Sequence, residues 1–345
     1  MKNHLPIGAC LLLGLAAILI LPNLLETFTL MELTIYVIMS ILALSLGFIW
    51  GYGGILCFGQ AAFFGLGSYA YAIAVLNFGE STGAFLIAVL VPTVFALALG
   101  YFIFFGRISD VYLGVITLTV TLILFNLINS TSGEQYHIGT AAIGGFNGIP
   151  SIPTLNVPGS PDRVLGPEAL FMVCVAFLMA TYIGLRLLLN SHFGRVVVAL
   201  RENELRVDLL GYDSRKYKLA AFAIGGGIAG LAGCLFANWG AFTSPTVFSL
   251  TQSALVIIWV LVGGVGTLLG PIIGCFFVQW LTSYLGGLGV ISPNLLLGVV
   301  LIGFVLLLPK GIVSLFGKLR LPARTKPAAK TQHAATSTAS AGAKQ

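Results

Sequence analysis

The amino-acid sequence predicts an all-α fold, a polytopic transmembrane helical bundle of about ten helices. Three observations predict it. Of the residues 58% are hydrophobic and 8% charged, where soluble domains carry roughly 25% charged residues. Apolar runs of about 20 residues, the length that spans a hydrocarbon core as a helix, recur along the chain. Basic residues collect on alternate connections between those runs, as the positive-inside rule requires. The 43 glycines suit helices packed closely in lipid.

The runs fall near 5–24, 31–50, 53–77, 83–105, 111–129, 168–189, 218–240, 250–268, 270–286 and 293–309. The first follows Lys2 and has the look of a cleaved signal peptide. However, Ile18-Leu-Ile-Leu-Pro22 offers no small-residue cleavage site, so residues 1–30 are read as a retained membrane helix. Residues 31–317 hold the remaining spans. Only Gly263-Gly-Val-Gly-Thr-Leu-Leu-Gly-Pro271 separates 250–268 from 270–286, so a broken or re-entrant segment is open there. Residues 318–345 are rich in Ala, Lys, Thr and Ser and read as a disordered cytoplasmic tail. The two halves show no obvious internal repeat.

With both termini on the cytoplasmic side, Arg163 is the single misplaced residue among 17 Lys and Arg. Glu26, Glu32, Glu80, Glu134, Asp162 and Glu168 fall on the outer side. The net charge of +6 therefore reports membrane orientation and not a nucleic-acid partner.

No Asp, Glu, Lys or His lies near the middle of a span. Glu32 opens its helix, and Arg186 sits at an inner end where it can snorkel. Proton-driven carriers place ionisable groups inside the membrane, so proton coupling is not expected. A Na⁺-coupled carrier or a channel stays open, because backbone carbonyls and hydroxyls suffice for it. The chain carries no phosphate-binding loop, no H-E-x-x-H and no G-x-S-x-G. Cys10, Cys57, Cys174, Cys234 and Cys275 lie within apolar runs and read as buried hydrophobes. No catalytic residue, metal site or cofactor is expected in this chain, and any ATP would be used by another polypeptide.

One segment stands apart from the apolar background, the charged stretch His192–Tyr217. As one helix from Arg195 to Leu210, it places Val198, Leu205 and Leu209 near one face and Arg201, Glu204 and Asp208 on another. Gly211 supplies the stop. Such a helix needs a surface, either lipid headgroups or a protein partner.

The stretch Phe193-Gly-Arg…Ala-Leu-Arg-Glu-Asn-Glu-Leu-Arg…Leu-Gly-Tyr…Tyr-Lys-Leu-Ala-Ala-Phe222 resembles the inner-membrane permeases of bacterial branched-chain amino acid importers of the ATP-binding-cassette type (LivM-type). Tyr52-Gly-Gly-Ile-Leu-Cys-Phe-Gly-Gln-Ala-Ala-Phe-Phe-Gly-Leu-Gly-Ser…Tyr69 is similar to that family's early glycine-rich helix, and Gly144-Gly-Phe-Asn-Gly-Ile149 to its outer Gly-Gly-x-Asn-Gly segment. Cys57 stands where a Ser or similar small residue is expected, and Phe146 where a more polar residue or proline is expected. The resemblance implies a permease without catalysis, in the bacterial inner membrane. It would work with a second homologous permease, ATPase subunits that bind ATP, and a periplasmic solute-binding protein. The coupling loop 195–216 would touch the ATPase through Arg195, Arg201, Glu202, Glu204, Arg206 and Gly211. The implied cargo is a branched-chain amino acid, with urea or short amides carried by close relatives.

Gln60 and Gly59 in the glycine-rich run are candidates for the solute pathway, with helix-to-helix bonding the alternative for Gln60. Thr119, Asn126 and Asn129 form a polar stripe on 111–129, facing a cavity or another helix, while Thr117 and Thr121 can bond their own helix's carbonyls. In the long outer connection 130–166, Asn147 and its glycines form a candidate turn toward the pathway. Glu134 and Asp162 are candidate contacts for a binding protein. Trp239 and Trp280 read as interfacial anchors.

Overall fold

The computed structural model describes residues 7–287 except 134, 158 and 159, together with 298, 303, 311 and 312. The expected span 293–309, apart from two of its residues, and the tail 318–345 lie outside the described residues. The described chain is all-α in its membrane part. Its α-helices are α1 (Ile7–Leu24), α2 (Thr27–Gly51), α3 (Gln60–Phe78), α4 (Ser81–Phe105), α5 (Asp110–Ser130), α6 (Pro167–Asn190), α7 (His192–Glu202), α8 (Glu204–Leu209), α9 (Ser214–Gly240), α10 (Leu250–Gly263) and α11 (Leu269–Gly287). Seven of these are long and apolar enough to cross a membrane: α2 to α6, α9 and α11. The protein is a multi-pass membrane protein.

Helix α9 is the hub, packed against α2, α3 and α4. Its glycines make this possible, because a small residue lets backbones approach within contact distance. A Cβ at Gly233 would fall on the Phe64 carbonyl, and one at Gly230 on the Pro92 ring. Around the hub, α10 and α11 pair with each other and with α2, and α6 packs on α2 and α1. Helix α2 is buried along most of its length, whereas α4 and α5 expose most of theirs. Their compositions are alike because lipid and protein interior are both apolar.

Helices α2 and α9 run antiparallel. The Trp239 indole N–H donates to the Met31 carbonyl (2.9 Å) near one end, and Gly225 lies against Ile49 towards the other. The end that carries Gly51 also carries α7 and α8 and is called the loop end below. At the opposite end, the connection 131–166 forms two small hairpins. They pair β1 (His137–Ile138) with β2 (Ala141–Ala142) and β3 (Asn156–Val157) with β4 (Ser160–Val164). Asn77 at the end of α3 holds the first hairpin, donating to the Ile138 carbonyl (2.9 Å) and accepting from the Thr140 N–H (2.8 Å).

Two expectations need correction, over 53–77 and over 195–210, while the break left open between 250–268 and 270–286 is present. The span expected over 53–77 becomes helical only at Gln60. Residues 52–59 are non-helical, starting as the unwound end of α2, with Gly53 N–H to Phe48, Gly54 N–H to Trp50 and Ile55 N–H to Ile49. Gly54 has φ +70°, a conformation that ends a helix. The paired spans 250–268 and 270–286 are two helices separated at 264–268, where Gly264 (φ +114°) and Gly266 (φ +88°) both turn the chain. The expected loop helix 195–210 is two helices, broken at Asn203.

A second interruption matches the first. Between α9 and α10, residues 241–249 are non-helical apart from a 3₁₀ turn at Pro245–Phe248. Each interruption follows a long helix ending in Trp-Gly (Trp50-Gly51, Trp239-Gly240) and carries a Phe just before the next helix (Phe58, Phe248). Both reach deep into the bundle. The Gln60 amide donates to Ser45, about 9 Å from the end of α2 at 1.5 Å per residue. Gln252 in the first turn of α10 touches the Met39 sulfur, halfway along α2. Non-helical backbone at such depth is tolerated only inside protein or beside a water-filled cavity. Paired interruptions of this kind point to the substrate region in transporters.

Candidate functional site

The charged loop is built from two capped helices. Ser191 Oγ accepts from the Gly194 N–H (3.4 Å) at the start of α7. Asn203 has extended backbone, and its Oδ1 accepts from the Arg206 N–H (3.0 Å) at the start of α8. An Asn at this position satisfies an amide that the preceding turn leaves free, so the break is encoded locally. Gly211 (φ +89°) then follows α8 as expected. Val196, Leu200 and Val207 form a small core with Tyr212 and Tyr217. Phe193 stacks on Tyr217, ring centroids 5.6 Å apart.

The break changes which side chains face out. Leu205 is 75% exposed, Leu209 87% and Leu210 75%, whereas Val207 is buried. Leu205 and Leu209, which the sequence places on a face in need of a surface, are both left uncovered by the chain itself. They form an exposed apolar patch on a helix otherwise rich in charge. Sequence reasoning groups Leu205 and Leu209 with Val198 and leaves out Leu210, because it runs one continuous helix through the break; the Asn203 cap was the available signal.

The charges hold the loop in place. Lys218 on α9 pairs with Glu204 at 2.6 Å, and Asp208 Oδ1 accepts the Ser214 N–H (3.2 Å). Arg195 donates to the Asn190 carbonyl (3.2 Å), and Glu202 lies 3.8 Å from Arg201. Arg206 is exposed. For Asp213, desolvation raises the carboxyl pKa, but the Lys216 hydrogen bond and the Arg215 and Lys216 charges together outweigh it and hold it below its usual value. That pairing is present at neutral pH and is lost only as the pH falls through the lowered value. Substituting Glu204→Gln is expected to cost at most about 1 kcal/mol, as for other partly exposed ion pairs. The readout is few-fold faster hydrogen exchange at 204–210 with α9 unchanged.

Beside α8 lies an open cleft of about 850 Å³, lined by Arg107 and Ser109 of the α4–α5 turn and by Glu204, Asp208, Arg215 and Lys218. Arg107 adopts φ +52°, unusual for a residue with a side chain. Arg201 lies over the end of α2 instead: its Nη1 donates to the Gly51 carbonyl at 2.5 Å.

The remaining candidates separate. Thr119 and Asn126 lie on the exposed face of α5, and each donates to a carbonyl of its own helix, Val115 and Leu122. Asn129 is exposed as well. Thr117 and Thr121 are buried on the opposite face. Thr117 does bond its own helix, yet it also accepts the Phe58 N–H (3.2 Å), a contact the sequence reading did not anticipate. Gln60 is buried and donates to Ser45 Oγ (2.6 Å) and the Gly225 carbonyl (3.4 Å), bonding α3 to α2 and α9. Gly59 packs so closely that a Cβ would fall on the Thr117 carbonyl.

Asn147 is exposed in a 3₁₀ turn (Gly145–Asn147) flanked by Gly144 and Gly148 at positive φ. That turn docks on the second interruption, where Ile149 and Thr243 exchange backbone hydrogen bonds of 2.8 and 3.2 Å. Glu134 lies outside the described residues, as does the side chain of Asp162. Trp280 is exposed and stacks on Tyr284.

The sequence is similar to several permeases. The profile of a family described as branched-chain amino acid transport system/permease component matches residues 28–308. The high-affinity branched-chain amino acid transport system permease protein LivM of Escherichia coli K12 is 31% identical over 253 residues, 68% of this chain and 58% of its own. A probable branched-chain amino acid transport permease protein LivM of Methanocaldococcus jannaschii is 26% identical over 273 residues, 69% of this chain and 76% of its own. The ribose import permease protein RbsC of Haemophilus influenzae is 30% identical over 135 residues, 37% of this chain and 41% of its own. The chain thus spans 58% of the length of the E. coli relative. No solved structure matches it. A match running from α2 through α11 and beyond decides the family: the chain belongs to the permease components of branched-chain amino acid transport systems.

Proposed function

We propose that this chain is the membrane permease subunit of an ATP-binding-cassette importer, passing a branched-chain amino acid across a bacterial inner membrane. It has no catalytic site of its own. The loop end faces the cytoplasm, with both termini on that side. ATPase subunits dock there, a second homologous permease completes the pathway, and a periplasmic binding protein delivers solute at the opposite end. The observation that carries this reading is the exposed patch of Leu205, Leu209 and Leu210 on α8. A short helix held rigidly by its own core and by the Glu204–Lys218 pair, presenting apolar side chains among charges, has the composition of a protein contact. A lipid-bound helix would set such a face among basic residues alone, but α8 carries Glu204 and Asp208 beside exposed Arg206, and Glu202 ends α7.

The pathway in this reading runs along the exposed face of α5, where Thr119 and Asn126 interrupt an apolar surface. Exposed Thr246 of the 3₁₀ turn that packs on α5 adds a further hydroxyl. The names of the two LivM relatives support the choice of cargo.

The test is to tag the chain, extract it gently from its native membrane and identify what accompanies it. Recovery with ATPase subunits and a second permease supports the reading. Recovery of the chain alone, in detergent that keeps known importers intact, rules out the docking role of α8 and leaves a self-sufficient carrier or channel.

A further inference from the structure

We infer that the interrupted segment 52–59 is the mechanical link between the charged loop and α5, held by Arg201 at one end and by Thr117 at the other. The inference rests on the proposed docking of an ATPase at the loop. It assigns Arg201 and Thr117 as positioning residues, not as contacts to the partner or the solute.

At the loop end, Arg201 reaches from α7 to the end of α2, with its side chain 41% exposed. Its Nη1 donates to the Gly51 carbonyl at 2.5 Å, the last residue of α2. Its stem lies along the start of the interruption, where a Cβ at Gly54 would come within 3.1 Å of Arg201 Cγ. Gly54 has φ +70°, so both the conformation and the space select glycine. The same Nη1 lies 3.4 Å from the Cβ position of Gly266, in the turn between α10 and α11. One guanidinium therefore bonds the loop to the first break and lies beside the second, and a planar group with several donors suits that position.

At the inner end, Phe58 N–H donates to Thr117 Oγ1 (3.2 Å), and that hydroxyl donates onward to the Gly114 carbonyl (3.0 Å). The segment lies flush on α5 there. A Cβ at Gly114 would come 3.1 Å from the Phe58 ring, and one at Gly59 would overlap the Thr117 carbonyl. Between the two holds, Ile55 and Cys57 are fully buried, so the segment has little room to buckle. Helix α5 is the right recipient, since its other face is exposed and, among the described residues, it makes few contacts outside α3 and the 3₁₀ turns at 145–147 and 245–248. A shift of α7 would thus drag Gly51–Gly54, and the rigid segment would pass the shift to the helix bearing Thr119 and Asn126. A continuous helix over 53–77 would not offer this separate lever.

The experiment uses the complete importer in liposomes and measures solute moved per ATP hydrolysed. Thr117→Val keeps the shape and removes the hydroxyl; Thr117→Ser restores it. The expected result is that Thr117→Val still copurifies with the ATPase and hydrolyses ATP, while solute moved per ATP falls at least tenfold. Thr117→Ser recovers most of the ratio. An unchanged ratio in Thr117→Val overturns the inference.

A second measurement covers the case in which Thr117→Val does not fold. Spin labels at Ala199→Cys and Ile123→Cys, both exposed sites, are followed with and without nucleotide in a Cys10→Ser background; the native Cys57, Cys174, Cys234 and Cys275 are buried. In the otherwise native complex the α5 label shifts with the loop label. With Arg201→Lys added, the loop label is expected to shift while the α5 label stays. Equal shifts of both labels in that variant overturn the link. Failure of the native chain to recover any ATPase would instead refute the proposed function.

Discussion

Replacing Leu205 and Leu209 together by alanine is expected to strip the ATPase subunits from the purified complex while leaving this chain folded. Both side chains stand in solvent in the isolated chain, 75% and 87% exposed, so truncation removes little that stabilises it. Exposed substitutions of this kind usually fall within about 0.5 kcal/mol. In the complex, a buried Leu contributes roughly 1.5–3 kcal/mol. Two of them together correspond to about 10²- to 10⁴-fold in affinity, at tenfold per 1.4 kcal/mol. Alanine also keeps the helix propensity of α8, which separates loss of contact from loss of structure. The checks are ATPase recovery on a tag and the thermal transition of the chain alone. Full recovery of ATPase with unchanged affinity would place the docking surface elsewhere on the loop end.

The second large effect concerns the hub. Gly233→Val is expected to abolish the folded, monodisperse chain, because the new side chain would occupy the position of the Phe64 carbonyl. Core overpacking typically costs about 1–3 kcal/mol when side chains can adjust. Here the obstacle is backbone in the second turn of α3, so the helix itself must move and the cost lies at or above that range. Gly67 faces the Gly230 carbonyl in the same interface, and Gly67→Val is expected to behave likewise. Gly184 on α6 is the control, since a Cβ there meets nothing within 4 Å. Gly184→Ala is expected to leave folding intact or raise stability by up to about 1 kcal/mol through helix propensity. Size-exclusion profiles and thermal transitions of the three variants check this. A native profile for Gly233→Val would contradict the close approach of α3 and α9.

The membrane helices were legible because length and apolarity alone reveal a span, and each described span begins or ends within a few residues of its apolar run, apart from the break before Gln60. What stayed hidden follows from the same apolarity. Residues 52–59 are as hydrophobic as a helix, and a helix surrounded by lipid and protein carries no amphipathic period to betray where it stops. Gly53-Gly54 was the local signal of a turn, but glycine is common in membrane helices and loses its meaning as punctuation there. The loop was read as important from its charge, and Leu205 and Leu209 were set on one face from their spacing, yet the sequence could not say that Arg201 bonds the end of α2 or that the helix breaks at Asn203. On α5 the stripe of Thr119, Asn126 and Asn129 was visible from spacing. Thr117 gains its role only from a partner 59 residues away in sequence.

The most direct test of the central claim is uptake into liposomes holding this chain, its partner permease and the ATPase subunits, with binding protein and labelled leucine outside and ATP inside. The account predicts leucine accumulation above the outside concentration that requires ATP and all the subunits. Leucine entry at the same rate with this chain alone and no ATP would contradict it.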